Sequence, residues 1–210
     1  MGAGRHTIII ADDHPLFGVA LRLGVHRVSP DADVIEVSSF TALRDAMHRH
    51  PETHLVLLDL MMPDVEGLSA LQFLHDEFPG RRVAIVSGAP PHSWVRAAEA
   101  LGAVAFIPKS TPPEQTQTIL RALLDGGRWW PELPAGAAAD GMDSRIGRLS
   151  RQELRILLRI KDGKLNKQIA EELGIAESTV KTHVTMLLRK LDLQSRTQAA
   201  VLAQRLMSPP

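Results

Sequence analysis

The sequence contains no cysteine, no long apolar run and no excess of charge of either sign. Without cysteine it cannot build a disulfide framework, a thiol nucleophile or a cysteine-ligated zinc site. The first apolar run, residues 7–11, is too short for a signal-peptide core, and no stretch approaches the roughly 18 apolar residues of a membrane span. These absences predict a cytoplasmic protein that does not insert into a membrane.

The zero net charge is a sum of two opposite halves. Residues 1–125 contain 10 Lys and Arg against 15 Asp and Glu, whereas residues 126–210 contain 14 against 9. A chain of 210 residues can hold two modest domains, each able to bury a core. The asymmetry indicates an acidic module joined to a basic module that binds nucleic acid or another polyanion.

Short apolar runs recur through the acidic half, separated by stretches that are long enough for a helix. Their hydrophobicity is continuous rather than alternating, which is typical of strands buried on both faces. The pattern predicts an α/β fold with a doubly wound five-stranded parallel sheet and right-handed crossovers. The runs are residues 7–11, 34–37, 55–58, 83–86 and 104–107.

The second half begins with a Gly-, Pro- and Ala-rich segment and continues as helices. The segment has no sustained period, so residues 126–147 are predicted to be a linker, although we expect Trp129 and Trp130 to pack on the first domain. Residues 166–173 and 178–191 have helical periodicity and are joined by a turn that begins at Gly174, as in a helix-turn-helix. We therefore predict domains at 1–125 and 148–210, the second smaller and all-α.

Polar residues follow the predicted strands of the first domain. Asp12 and Asp13 end the first run, Asp59 the third and Ser87 the fourth, and Lys109 follows the fifth. The carboxyl ends of parallel strands meet at one edge of such a sheet, so we expect these side chains to converge. Three crowded carboxylates repel one another unless a cation joins them. The donor set favours Mg²⁺, which combines a few carboxylates with waters and a phosphate.

The sequence around these positions resembles the receiver domain of two-component response regulators, over roughly residues 7–124. The segments that carry the resemblance are 11–16 (ADDHPL), 58–63 (LDLMMP) with Gly67, 87–88 (SG) and 106–109 (FIPK). The resemblance implies a flavodoxin-like fold and phosphorylation of Asp59 by a sensor histidine kinase. It also implies that Mg²⁺ is held by Asp12, Asp13, Asp59 and the main-chain carbonyl of Met61, that Lys109 assists, and that Ser87 and Phe106 form the switch.

The third helix of the second domain has two different sides. Val180, Val184, Leu187 and Leu191 share one side, and no acidic residue occurs from 178 through 191. A side of hydroxyls and cations that follows a helix-turn-helix turn fits the major groove of double-stranded DNA. The predicted DNA contacts are Ser178, Lys181, Thr182, Thr185, Arg189 and Lys190.

The second domain is similar to the LuxR-type DNA-binding domain, over about residues 148–206. The matching segments are 149–153 (LSRQE), 166–170 (NKQIA), 179–183 (TVKTH) and 195–200 (SRTQAA). With the receiver, the chain resembles a response regulator of the NarL/FixJ type. This implies a DNA-binding transcription regulator that dimerises when phosphorylated. The apolar positions of the last helix are then either internal core or homodimer contact: Ala199, Leu202, Ala203 and Leu206.

Two helix starts depart from the family pattern. Leu165 and Ala176 stand where the family commonly has Ser or Thr, and the loss of such a cap costs about 0.5 to 2 kcal/mol. We expect Asn166 and Ser178 to take over capping, which would shift each helix start slightly.

The acidic pocket has two alternative interpretations. An Asp nucleophile with Mg²⁺ also serves phosphatases of the haloacid dehalogenase type, but these need a second Asp two residues later, where this chain has Met61. We therefore predict that the protein is not an enzyme with turnover. The other alternative keeps DNA binding but makes the receiver a phosphate-independent module for protein interactions.

Overall fold

A computed structural model describes residues 6–62, 64–65, 67–88, 92–132 and 145–207, with only the backbone described for 92, 93 and 205–207. The chain divides into two compact units. The first comprises Met1–Pro90 and Gly102–Glu132, and the second comprises Pro91–Leu101 and Leu133–Pro210. The second unit thus includes residues 91–101, which lie inside the predicted first domain. The domain boundaries therefore stay a prediction.

The elements within the described residues follow the predicted order. The strands are β1 (Thr7–Ala11), β2 (Asp33–Val37), β3 (Leu55–Asp59), β4 (Val83–Ser87) and β5 (Ala105–Pro108). The first five helices are α1 (Pro15–Val28), α2 (Phe40–Arg49), α3 (Ser69–Glu77), α4 (His92–Leu101) and α5 (Pro113–Leu124). The last four are α6 (Arg151–Lys161), α7 (Asn166–Leu173), α8 (Glu177–Leu191) and α9 (Arg196–Met207). None of the described helices is both long and apolar enough to cross a bilayer.

The five strands form one parallel sheet in the order β2-β1-β3-β4-β5. The strand order reverses direction between β1 and β3, as in a doubly wound sheet, so the predicted fold class is confirmed. Asp59 pairs with Val86, and Ser87 pairs with Pro108. The last residues of the central strands therefore lie along one edge of the sheet.

Both faces of the central strands are buried, as the continuous hydrophobicity predicted. Ile8 and Ile10 belong to a core that includes residues of α1 and α5, and these two helices pack against each other. Ile9, which lies between them on β1, is fully buried and points to the opposite face because strand side chains alternate.

The chain that follows α5 stays attached to the first unit. Trp129 forms a parallel bridge with Ala105, donating its N–H to the Val104 carbonyl at 3.1 Å and accepting the Phe106 N–H at 3.2 Å. Its side chain packs against the core, which confirms the prediction for Trp129. A Cβ on Gly127 would lie 2.8 Å from the Ala122 carbonyl oxygen, so this turn requires glycine. The middle of the predicted linker, residues 133–144, lies outside the described residues.

The predicted bounds of α7, residues 166–173, agree with the structure, and α7 ends at Gly174 with a φ of 64°. At the start of α6, Ser150 and Glu153 form a capping box, in which each side chain accepts the backbone N–H of the other residue. Val180, Leu187 and Leu191 are fully buried and Val184 is half-buried, which confirms the apolar side of α8.

The expected shift of two helix starts is wrong. Helices α7 and α8 begin directly after Leu165 and Ala176, which offer no side-chain cap. The Leu165 N–H instead donates to Gln168 Oε1 at 2.7 Å. Asn166 is not free to cap, because its Oδ1 accepts a 2.8 Å hydrogen bond from Arg196 Nη1.

Helix α9 contributes to the internal core. Ala199 and Ala203 are fully buried and Leu202 is nearly so, and α9 packs on α6. For these three residues the structure favours the internal-core alternative over a homodimer contact. The side chain of Leu206 lies outside the described residues. Among the side chains of this helix that the structure describes, Val201 is the exposed large apolar one, at 50%.

Candidate functional site

Side chains from three strand ends meet at the carboxyl edge of the sheet. Nζ of Lys109 lies 2.7 Å from Oδ2 of Asp59, and 2.9 and 2.7 Å from the two carboxylate oxygens of Asp12. The three residues are up to 97 positions apart in sequence, and the parallel sheet brings them together. The convergence expected from the strand ends therefore holds for this triad.

The charged side chains at the centre of the pocket are buried. The side chains of Asp59 and Asp12 are 1% and 2% exposed. Burial raises the pKa of Asp59 above its ordinary value, and the hydrogen bond from Lys109 only partly offsets that rise. Burial would lower the pKa of Lys109, but hydrogen bonds to Asp12 and Asp59 outweigh it and raise that pKa. The ammonium therefore stays charged and neutralises part of the acidic cluster.

Asp13 and His14 complete the cluster. Nδ1 of His14 lies 2.8 Å from Oδ1 of Asp13 and 3.3 Å from Oδ1 of Asp12. Ligand atoms of Asp12, Asp13, His14 and Asp59 all lie within 4.8 Å of one another. His14 was not among the predicted site residues. Its position directly after Asp12 and Asp13 in the sequence is the feature that could have pointed to it.

Main-chain hydrogen bonds orient two of the carboxylates. Oδ1 of Asp12 accepts the His14 N–H at 2.8 Å, and Oδ1 of Asp59 accepts the Met61 N–H at 3.0 Å. Each carboxylate thus bonds to the backbone two residues later, a turn that Asp commonly forms. Asp59 is left with Oδ2 directed to Lys109, while Met61 is fixed directly beside the phosphoacceptor candidate.

The residues predicted to act as a switch are buried near this edge. Ser87 is 3% exposed, and its carbonyl accepts the Lys109 N–H at 2.7 Å. Phe106 is fully buried, and it points to the sheet face opposite to its neighbour Ile107, which lies in the core with α1 and α5. The ring of Phe17 lies 4.8 Å from Lys109 Nζ, a cation–π contact that the sequence analysis did not predict.

Helix α8 presents most of its predicted polar residues to solvent. The hydroxyls of Thr182 and Thr185 donate to the carbonyls of Ser178 and Lys181, four residues earlier, at 3.1 and 3.0 Å. Their methyl groups and oxygen lone pairs remain available. Lys181 Nζ is 3.0 Å from Oε1 of Glu177, an acid that enters the helix because α8 begins one residue earlier than predicted. The predicted DNA contacts that are exposed are Ser178, Lys181, Thr182, Thr185 and Arg189.

Lys190 differs from these five residues. Its Nζ lies 2.7 Å from Oε2 of Glu153, which is 2% exposed and belongs to the capping box of α6. The ammonium of Lys190 is therefore engaged inside the helical unit.

Comparison with known proteins identifies both halves. Residues 8–121 match the family "Response regulator receiver domain", and residues 147–203 match "Bacterial regulatory proteins, luxR family". The chain belongs to the NarL/FixJ type of response regulators. The regulator thus combines a receiver with a LuxR-type DNA-binding domain, as its two resemblances implied.

Relatives match the response regulator along almost its whole length. It is 35% identical to the glycerol metabolism activator of Pseudomonas putida, covering 94% of this chain and 95% of that protein. It is 33% identical to the nitrate/nitrite response regulator protein NarL of Escherichia coli K12, covering 93% of each. A solved structure of two RcsB dimers bound to two parallel DNAs resembles its fold with a TM-score of 0.59 at 22% identity, over 98% of this chain and all of that one. Together with the two family matches, these relatives identify the chain as a transcription regulator of a two-component system.

Proposed function

We propose that this regulator accepts a phosphoryl group on Asp59 from a sensor histidine kinase and that this modification controls its binding to DNA. The observation that carries the proposal is the contact between Lys109 Nζ and Asp59 Oδ2, at 2.7 Å, within a buried acidic cluster. A buried carboxylate that is paired with an ammonium and surrounded by other acids is suited to accept a phosphoryl group.

The proposed transfer is a displacement at phosphorus. Oδ2 or Oδ1 of Asp59 attacks the phosphorus of a phosphohistidine, a P–O bond forms as the P–N bond breaks, and the imidazole leaves with a proton from solvent. Lys109 is already 2.7 Å from Asp59 and offsets the charge on the transferring oxygens. The acyl phosphate carries about two negative charges where Asp59 carried one.

The donor set of the pocket fits Mg²⁺. Asp12 Oδ2 and Asp13 Oδ1 are buried oxygens that lie near Lys109 and His14 yet accept no well-angled hydrogen bond. We propose that Asp12, Asp13, Asp59 and the Met61 carbonyl hold the ion. When bound, it would neutralise the carboxylates and the incoming phosphoryl oxygens.

The proposed switch uses Ser87 and Phe106. Ser87 ends β4 and Phe106 lies on the neighbouring strand β5, and both are buried. A phosphoryl group on Asp59 needs hydrogen-bond donors, and the hydroxyl of Ser87 can supply one. The space that Ser87 leaves is then filled by the Phe106 ring, which alters the surface on this side of the sheet.

We propose that α8 enters the major groove. Two observations support the five exposed polar residues identified above as DNA contacts. They lie on one side of the helix, and none of them is buried in the core. The threonine methyl groups suit thymine, and the cations suit phosphate or guanine edges. Lys190 is assigned a positioning role in place of a direct contact, because its ammonium holds Glu153.

We propose a homodimer that forms on phosphorylation and binds paired half-sites about one helical turn apart. The RcsB structure, whose dimers bind DNA, supports a dimer by analogy. Among the described residues of α9, the exposed Val201 is the candidate for a dimer contact.

We also propose that the protein is cytoplasmic and has no enzymatic turnover. Its proposed domains are residues 1–125 and 148–210, joined by a linker at 126–147. The two family matches support these boundaries.

The test is incubation of the wild type and Asp59→Asn with acetyl phosphate and Mg²⁺, followed by intact mass and gel filtration. We expect a mass gain of one phosphoryl group in the wild type only, with a shift toward dimer. A mass gain in Asp59→Asn would contradict Asp59 as the acceptor. Unmodified wild type that binds DNA equally with and without acetyl phosphate would support the phosphate-independent alternative.

A further inference from the structure

The loop after β3 contains a carboxylate, that of Asp64, which is bonded to a helix elsewhere in the first unit. Asp64 lies five residues after Asp59 and is exposed, yet both of its oxygens are bonded. Oδ1 accepts the N–H of Phe40 at 2.7 Å, and Oδ2 accepts the N–H of Thr41 at 2.9 Å. These two amides open helix α2, so a residue of the β3–α3 loop caps a helix 23 residues earlier in the chain.

This contact completes the cap of α2. The first amides of a helix have no partner inside the helix and favour an anion nearby. Ser39 serves the third amide, accepting the Ala42 N–H at 3.1 Å, and leaves the first two to Asp64. Burial works in the opposite direction, but the amides of Thr41 and Phe40 hold the pKa of Asp64 below its ordinary value.

The described residues of the same loop make further contacts between β3 and Asp64. Asp59 Oδ1 accepts the Met61 N–H at 3.0 Å, and the Val65 N–H donates to the Met62 carbonyl at 3.3 Å. Leu60 and Met62 are 1% and 2% exposed, so their side chains anchor the loop in the core. Met61 lies between these anchors. Asp64, three residues after Met61, makes the outermost of these described contacts.

We propose that Asp64 is a positioning residue for phosphotransfer, which holds the Met61 carbonyl and Asp59 in the geometry that binds the divalent cation. Both oxygens of Asp64 accept main-chain amides of α2, so Asp64 acts by attaching the loop to the first turn of that helix. The ring centroids of Phe40 and Phe73 lie 5.2 Å apart, and this contact packs the first turn of α2 against α3. The inference rests on the proposed function of the pocket.

The experiment compares Asp64→Ala, Asp64→Asn and the control Asp31→Ala, which removes an exposed carboxylate from the turn between α1 and β2. Magnesium affinity is measured by calorimetry, and phosphorylation by acetyl phosphate is followed as a function of Mg²⁺ concentration. For Asp64→Ala we expect Mg²⁺ affinity to fall about three- to tenfold, less than the roughly 10- to 100-fold that direct partners of metal ligands contribute, because Asp64 is not bonded to a proposed ligand. The rate at saturating Mg²⁺ should stay within about twofold of the wild type.

Asp64→Asn keeps one acceptor oxygen and should lose about half as much affinity on a logarithmic scale, while Asp31→Ala should match the wild type. If Asp64→Ala lowers only the melting temperature, with Mg²⁺ affinity and rate unchanged, Asp64 is a helix cap and the proposal is wrong. If Asp64→Ala does not fold, the same measurements on Asp64→Asn replace it, and an unchanged Mg²⁺ affinity of that variant shows that the proposal is wrong. A wild type that binds Mg²⁺ but takes no phosphoryl group refutes the proposed function alone, because calorimetry still tests Asp64.

Discussion

Oε2 of Glu153 lies 2.7 Å from Nζ of Lys190, which joins the start of α6 to the end of α8. The same oxygen accepts the Ser150 N–H at 2.7 Å. One buried carboxylate thus caps a helix and fixes the orientation of the helix that carries the predicted DNA contacts. Because Glu153 is 2% exposed, its charge depends on both partners.

Replacing Glu153 by Ala should destabilise the helical unit by about 2 kcal/mol, since it removes the cap and leaves the Lys190 ammonium without its partner. Chemical denaturation followed by helical circular dichroism measures the change. The control is Glu171→Ala, an exposed acid on α7, which should change the free energy of unfolding by less than about 0.5 kcal/mol. Equal effects of the two substitutions would contradict the assigned role.

The contribution of Glu153 should disappear in acid. Burial alone would raise its pKa, but hydrogen bonds from Lys190 and Ser150 lower it below the ordinary value of 4.5. A lowered pKa stabilises the folded state above about 4.5, and that stabilisation is lost as the pH falls through the folded-state value. The stability difference between wild type and Glu153→Gln should therefore be constant from pH 7 to 5 and shrink below. A difference that grows in acid would refute this linkage.

Lys181 and Glu177 should have opposite effects on DNA binding. Lys181→Ala removes an exposed cation, so we expect weaker binding and a plot of log K against log salt that is shallower by about one. Glu177→Gln removes the acid 3.0 Å from Lys181 and should strengthen binding. Fluorescence anisotropy at several salt concentrations measures both, with Arg121→Ala on α5 as the control. An unchanged slope for Lys181→Ala would exclude a phosphate contact.

Asp59→Asn should stabilise the receiver in the absence of divalent cations. Burial raises the pKa of Asp59 above 3.8, so the ionised carboxylate opposes folding at neutral pH. We expect a gain of about 1 kcal/mol at pH 7, typical of a single-residue effect, measured by thermal unfolding with a chelator present. The gain should shrink as the pH falls through the folded-state pKa and vanish below the ordinary value of 3.8, where the carboxyl is neutral in both the folded and the unfolded chain. Asp31→Asn, which is exposed, should have no such effect.

Arg82 should stabilise the attachment of the chain that follows α5. Its guanidinium donates to the carbonyls of Leu123, Gly126 and Gly127. Arg82→Ala leaves these carbonyls without their donor and should cost about 1 to 3 kcal/mol. The neighbouring Arg81→Ala is the matched control. Denaturation monitored by tryptophan fluorescence reports directly on the change, and identical midpoints for the two variants would refute the assigned role.

The fold and the centre of the acidic pocket could be predicted because they depend on local patterns. Continuous apolar runs indicate strands buried on both faces, and parallel strands bring their last residues to one edge. Asp12, Asp59 and Lys109 were therefore expected to meet, and they do. The side of α8 that holds Val180 and Leu187 followed equally from helical periodicity, which needs no knowledge of neighbouring elements.

By itself the sequence determined the strands, the helices and which chain segments carry the acidic pocket and the predicted DNA contacts. Only the tertiary structure decided that Lys190 bonds to Glu153, that Asp64 caps α2 and that Ala199 belongs to the internal core. The physical reason is that periodicity reports which side of an element is apolar. The partner of a polar side chain depends instead on how elements distant in sequence approach each other.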